Sequence, residues 1–287
     1  MKRGNIMAKK KLVVALGRNA FGETFPEQQK GVKIAAKAIA DLVEENYEIV
    51  ITHSNGPQVG MFHTAMNMIR TELLNRGIFK PISTIITQVK VDPFDKAFSN
   101  PTKIIGRYMS QEEAELEKNK GNYVTNVEGK GYRRIIASPK PLEIYEIDTI
   151  KALLDASQIV IAGGGGGIPV LEQGTNLKGA SAVIEKDYTS ELIAELIDAD
   201  VLLFLTAVDK VSLYYGKTDE KSMDTLTIEQ AKDYITNGYF ESGSMLPKVE
   251  ASIKFISSGS EKKAIIAHLE RAKDALNGKT GTTITLN

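Results

Sequence analysis

Two lysines and a run of glycines are the residues best suited to chemistry in this chain. Lys186 stands in Glu185-Lys186-Asp187-Tyr188 at the expected start of a helix, and Lys248 ends Gly243-Ser244-Met245-Leu246-Pro247-Lys248 in the first turns of another. Phosphoryl transfer depends on positioning and on neutralising negative charge, and lysines supply positive charge. A single lysine is far more often a solvated surface group, and Asp187 taken alone reads as an N-cap, so these residues argue only in company. Gly163 to Gly167 are five consecutive glycines behind an apolar run. Glycine lets backbone N–H groups approach an anion closely, although such a run also suits a turn that holds nothing. No Gly-Lys-Ser/Thr follows it, and a dinucleotide-binding spacing is not convincing. His53 leads His53-Ser54-Asn55-Gly56-Pro57 and reads as a buried histidine rather than a base. His63 and His268 read as ordinary helix or loop residues, and neither a Ser-His-acid set nor a His-Glu-x-x-His helix is present.

The elements that must position these residues alternate along the chain. Lys11–Leu16, Glu48–Thr52, Pro81–Val91, Gln158–Ala162, Val201–Thr206, Lys263–Ala267 and Thr282–Thr285 have the apolar or β-branched character of strands. Between them, 27–45, 59–76, 143–156, 188–199, 227–236, 244–257 and 269–276 have helical spacing; in the first, Val32, Ala35, Ala36, Ile39, Leu42 and Val43 fall on one face. Such alternation requires crossovers, hence a largely parallel sheet with helices on both faces. Ligands then bind beyond the carboxyl ends of the strands. The loops expected there are 17–20, 53–60, 163–169 and 206–210. The stretch 92–138 is polar and lacks a long apolar period; it is either a surface insertion or a lid over a site, since insertions of this length are often functional.

Composition excludes several classes. Acidic and basic residues number 36 each, so net charge supplies no attraction to nucleic acid or membrane. No cysteine is present, which removes disulfides, thiolate metal sites and cysteine nucleophiles. No apolar run approaches the roughly 20 residues of a membrane span, and the basic start lacks the apolar core of a signal peptide. A cytoplasmic location is the default expectation, for a chain of 287 residues forming one large domain.

Taken in order, the motifs resemble the amino acid kinase family, and within it the carbamate kinases. They are Val14-Ala15-Leu16-Gly17 with Asn19-Ala20, Thr52-His53 with Asn55-Gly56-Pro57-Gln58-Val59-Gly60, Thr87-Gln88-Val89 and Asn100-Pro101-Thr102-Lys103. After them come Gly131-Tyr132-Arg133-Arg134, Ser138-Pro139-Lys140-Pro141, Gly164 to Pro169, Val183 to Asp187, Leu205 to Lys210, Gly243 to Val249 and Gly278 to Thr282. The resemblance implies a three-layer αβα sandwich with an inserted lid subdomain at 92–138 and nucleotide bound by 158–287. It also implies a homodimer, and Mg2+ with ATP or ADP. The reaction implied is ATP plus carbamate giving ADP plus carbamoyl phosphate, run toward ATP during arginine or related catabolism. Lys186 and Lys248 would hold the phosphates, Asp187 would orient them and Lys103 would close over the site. Gly164, Gly165, Gly166, Thr206, Ala207, Val208, Lys210, Met245 and Lys248 would line the nucleotide. Gly17, Arg18, Asn19, Ser54, Asn55 and Gly56 would line the acceptor, and no metal-ligating side chain is assigned.

The departures gather on the acceptor side. Arg18 and Ser54 stand where the family usually has glycines, Ile104-Ile105-Gly106-Arg107 replaces Pro-Ile-Gly-Pro, and a segment after Gly60 is much shorter. Arg18 either clamps a larger or more charged acceptor or fills the space of carbamate. Two alternatives therefore stay open: a nucleotide-binding homologue without kinase activity, and a kinase for a different small carboxylate.

Overall fold

The computed structural model describes residues 9–17, 25–54 and 59–286. An eight-stranded sheet runs through its centre. From one edge to the other its strands are Thr225–Thr227, Thr282–Thr285, Lys263–His268, Val201–Thr206, Lys11–Leu16, Glu48–His53, Ile159–Ile161 and Ile82–Thr84. Neighbours pair in parallel except Lys263–His268 with Thr282–Thr285.

The middles of the inner strands are continuously apolar because both faces are covered, with polar residues only toward their ends. Alternate side chains of one strand enter opposite cores. Leu12, Val14 and Leu16 join Ile39, Leu42, Ile49 and Leu203 on one face, while Val13 and Ala15 join Val160, Ile193, Phe204 and Phe255 on the other. The helix Phe25–Glu44 buries Val32, Ala35, Ala36, Ile39, Leu42 and Val43, the face expected from spacing. This is the mixed αβα architecture the chain was expected to have.

Two segments depart from the sequence reading. Pro81–Val91 is not one strand: Ile82–Thr84 joins the central sheet, and Gln88–Val91 joins a second, four-stranded sheet with Pro141–Ile144, Ile168–Gln173 and Asn176–Gly179. The chain changes sheets at Thr87, whose hydroxyl donates to the Ile85 carbonyl at 3.2 Å and accepts the Gly163 N–H at 2.9 Å. Likewise 143–156 is not all helix, because Glu143 and Ile144 pair with Val89 and Lys90 and the helix begins at Ile147.

The polar stretch 92–138 contains regular structure. Lys103–Met109, Gly131–Ile136 and Tyr123–Val127 form an antiparallel three-stranded sheet, with the helix Gln111–Asn119 held at its start by a Ser110/Glu113 capping box. At its base Asp95 caps the short helix Lys96–Ser99 and accepts the Lys140 backbone N–H at 3.0 Å, which brings the entry and exit of this segment together. Among the described residues no helix is long and apolar enough to cross a membrane.

Candidate active site

The parallel strands Lys11–Leu16, Glu48–His53, Ile159–Ile161 and Val201–Thr206 lie side by side, so their carboxyl ends share one edge of the sheet. Facing that edge are the first turns of Lys186–Leu196 and Met245–Ser257, which pack against each other. Their N-termini bring Lys186, Asp187 and Lys248 together across 61 residues of sequence. Asp187 accepts from Lys186 Nζ at 2.5 Å through Oδ1 and from Lys248 Nζ at 3.0 Å through Oδ2. Lys248 also donates to the Ser244 carbonyl at 3.0 Å.

All three side chains are buried, Asp187 at 1% exposure. Burial would raise the Asp187 carboxyl, but the two ammonium groups outweigh it and hold its pKa below the usual carboxylate range. Burial also depresses Lys186, and Lys248 adds to that against the pull of Asp187. One carboxylate between two lysines leaves an excess of positive charge in a place that disfavours it. A buried arrangement of this kind is completed by an anion. A phosphoryl group, with several acceptor oxygens, fits that requirement.

The glycine run lies beside this cluster and has no room for side chains. A Cβ on Gly166 would fall 2.1 Å from the Ile184 carbonyl oxygen, and one on Gly164 would fall 2.3 Å from the His53 ring. Gly163, Gly165, Gly166 and Gly167 have positive φ. Two of the amides close the turn on itself, Gly166 N–H to Gly163 O and Gly167 N–H to Gly164 O, both at 3.0 Å. Thr189, not singled out from sequence, fastens the turn to the helix by donating from Oγ1 to Gly166 O at 2.9 Å, and Ser190 Oγ ties the same helix to the strand Glu48–His53 by meeting Thr52 Oγ1 at 2.6 Å. Small hydroxyl residues on a buried helix face were the available signal.

His53 is buried against this turn, and burial, opposed by its contact with the Ser54 carbonyl and aided by nearby Lys186, pushes its pKa down to about 4. That low basicity keeps it unprotonated at neutral pH and makes it a weak proton acceptor. Ser54 Oγ is buried and has no hydrogen-bond partner among the described residues. The Gly17 N–H is committed to Leu205 O at 2.9 Å, and a Cβ there would come within 2.8 Å of the same oxygen. Arg18, Asn19, Asn55 and Gly56 lie outside the described residues. Thr206 ends its strand, Ala207 is exposed and Val208 half-buried in the bend that follows. Lys210 pairs with Asp224 at 2.5 Å, and Met245 opens the helix that carries Lys248.

Lys103, on the first strand of the three-stranded subdomain, forms an ion pair with Glu185 immediately before Lys186. Lys140 places its ammonium 3.1 Å from the Tyr188 ring centroid and 3.3 Å from Glu250. Tyr188 donates its hydroxyl to Glu250. Among the described residues no group of three or more His, Asp or Glu side chains is placed to hold a metal ion.

Comparison with known proteins gives a consistent result. A family model described as the amino acid kinase family matches residues 10–268. The carbamate kinase-like protein YqeA of Escherichia coli is 46% identical over 306 residues, covering 96% of this chain and 99% of that protein. A carbamate kinase of Clostridium perfringens is 45% identical over 311 residues with the same coverage. Both alignments are longer than this 287-residue chain, so part of each relative has no counterpart here. Among solved structures, carbamate kinase from Giardia lamblia bound to AMP-PNP is 34% identical with a TM-score of 0.87, covering 97% of this chain and 99% of that one.

Proposed function

Because this chain belongs to the amino acid kinase family, we propose that it is a carbamate kinase-type phosphotransferase, interconverting ATP plus carbamate and ADP plus carbamoyl phosphate. The observation that carries this reading is the pair of buried ammonium groups sharing the Asp187 carboxylate. In the ATP-forming direction a terminal oxygen of ADP attacks the phosphorus of carbamoyl phosphate. A new P–O bond forms, the bond between phosphorus and the bridging carbamoyl oxygen breaks, and carbamate leaves with that oxygen and the electron pair. No proton has to move, which agrees with a neutral His53.

Lys186 and Lys248 take the equatorial oxygens of the transferring group, and Asp187 fixes the two amines at one separation. Such fixed donors need no reorganisation as charge develops. The loop 163–167 and the segment 206–210 line the nucleotide, with Met245 beside Lys248. Mg2+ arriving with the nucleotide supplies further neutralisation; it is commonly held by phosphates and few protein groups. Lys103 approaches from the subdomain, which acts as a lid. The acceptor lies toward Gly17, Ser54 and the loops carrying Arg18, Asn19, Asn55 and Gly56. The resemblance extends the reading to a cytoplasmic homodimer working toward ATP synthesis in arginine or related catabolism.

The test is ATP formation from carbamoyl phosphate and Mg-ADP. Lys248→Ala should lower kcat by at least ~10²–10³-fold, the usual cost of losing one fixed donor to a transition state, with Mg-ADP still bound. Equal rates in variant and wild type would contradict the assignment. The buried Ser54 hydroxyl, which has no partner among the described residues, favours a second reading, a kinase for a different small carboxylate. Arg18→Gly should then leave carbamoyl phosphate turnover low, whereas a rise would mean that Arg18 merely obstructs carbamate.

A further inference from the structure

The inserted subdomain is rooted at both ends in the two helices that carry Lys186 and Lys248. At its entry Lys103 pairs with Glu185, the residue before Lys186. At its exit Lys140 pairs with Glu250, two residues beyond Lys248, and lies over Tyr188, one residue beyond Asp187. The Asp95 carboxylate, which accepts the Lys140 backbone N–H at 3.0 Å, ties the two roots to each other. Lys103 is thus held from the body of the protein, independently of the subdomain's tip.

We propose that Glu185 is a positioning residue for the reaction, holding the Lys103 amine at the mouth of the Lys186–Asp187–Lys248 cluster so that an entering phosphoryl group meets three amines. This rests on the phosphotransfer reading above. A lysine ammonium has three donors, so Lys103 keeps one on Glu185 while offering the others to phosphate oxygens. The pair is partly exposed, with side chains 28% and 17% accessible. An ion pair in such surroundings adds little stability; what Glu185 contributes is the placement of a long, flexible side chain. The same residue accounts for the charge pattern Glu185-Lys186-Asp187, in which Asp187 orients the two buried lysines and Glu185 orients the third from outside.

The test combines kinetics with chemical labelling of the full chain. Glu185→Gln should lower kcat for ATP formation by roughly 10–100-fold, the scale of loss when a reacting group is misplaced by about an ångström, while KM for Mg-ADP changes little. Lys103→Ala should cause a similar loss, and the double variant should be no slower than Lys103→Ala, because the two act as one unit. In parallel, acetic anhydride should modify Lys103 several-fold faster in Glu185→Gln than in wild type, relative to exposed Lys130 on the same subdomain. Full activity of Glu185→Gln, multiplicative losses in the double variant, or an unchanged Lys103 labelling rate would each overturn the proposal. If wild type forms no ATP, the phosphotransfer reading fails, and with it the kinetic role of Glu185. The labelling rate then still decides whether Glu185 holds Lys103.

Discussion

Glu191 lies one turn beyond Asp187 on the same helix, buried, with Lys254 at 2.8 Å from the neighbouring helix and Glu195 beside it. Burial, aided by the Glu195 contact and opposed by Lys254, raises its carboxyl from 4.5 to about 7, while Lys254 and Glu191 together hold Glu195 down against burial. Glu191 Oε1 has no hydrogen-bond partner among the described residues, and Glu195 Oε2 has only the Lys254 ion pair at 3.1 Å; one proton carried on Glu191 joins the two carboxyl groups. The folded chain thus keeps a proton that the unfolded chain has released, and stability falls as pH rises through the window 4.5 to about 7. In Glu191→Gln that loss disappears. Its urea midpoint relative to wild type should improve between about pH 5 and about pH 8, by a stability difference on the order of 3 kcal/mol. Loss of the half-exposed Lys254 pair offsets only about 1 kcal/mol. A constant difference across that range would show that no proton is held. At this scale Lys186, Asp187 and Lys248 were legible through the motifs that carry the resemblance. Glu185, Lys140 and Glu250 were not assigned roles, because their partners stand 82 and 110 residues away and nothing local marks such a pair.

Among the elements, the glycine turn has the least freedom. Gly166 has φ +92° and its missing Cβ would overlap the Ile184 carbonyl, which is backbone and cannot rotate aside. Gly166→Ala should therefore cost about 3 kcal/mol or more of stability through combined strain and clash, read as a lowered urea midpoint. Gly243→Ala, with open space around it, should stay within ~0.5 kcal/mol of wild type. Similar midpoints for the two variants would contradict this account of the turn. The need for glycine at 163–167 was visible as an unusual run; the reason, a close approach to Ile184 and His53, was not. The inner strands were legible because burial on both faces gives them continuous apolar middles. Pro81–Val91 misled because β-branched residues continue through a change of sheet, and only the contacts of Thr87 mark where it occurs. The hairpin Ile168–Gln173 with Asn176–Gly179 was missed since its mixed, largely exposed residues lack an apolar alternation.

For the whole molecule, the described residues divide into a body with two cores, one on each face of the central sheet, and a subdomain that contributes no buried side chain within 103–136 to either. The body carries the buried charge cluster, and the subdomain places Lys103 against Glu185, the residue before Lys186. That division was legible as a polar interruption between two runs of strand–helix alternation, although the interruption's own sheet was not, because its paired isoleucines are few and partly exposed. The proposed transfer chemistry would sit at the body's edge, where four parallel strands end. The most direct measurement is ³¹P NMR of the wild-type protein with carbamoyl phosphate and Mg-ADP. The account predicts that the carbamoyl phosphate resonance is replaced by the γ-phosphate resonance of ATP. Decay to inorganic phosphate alone, at the rate seen without protein, would contradict it.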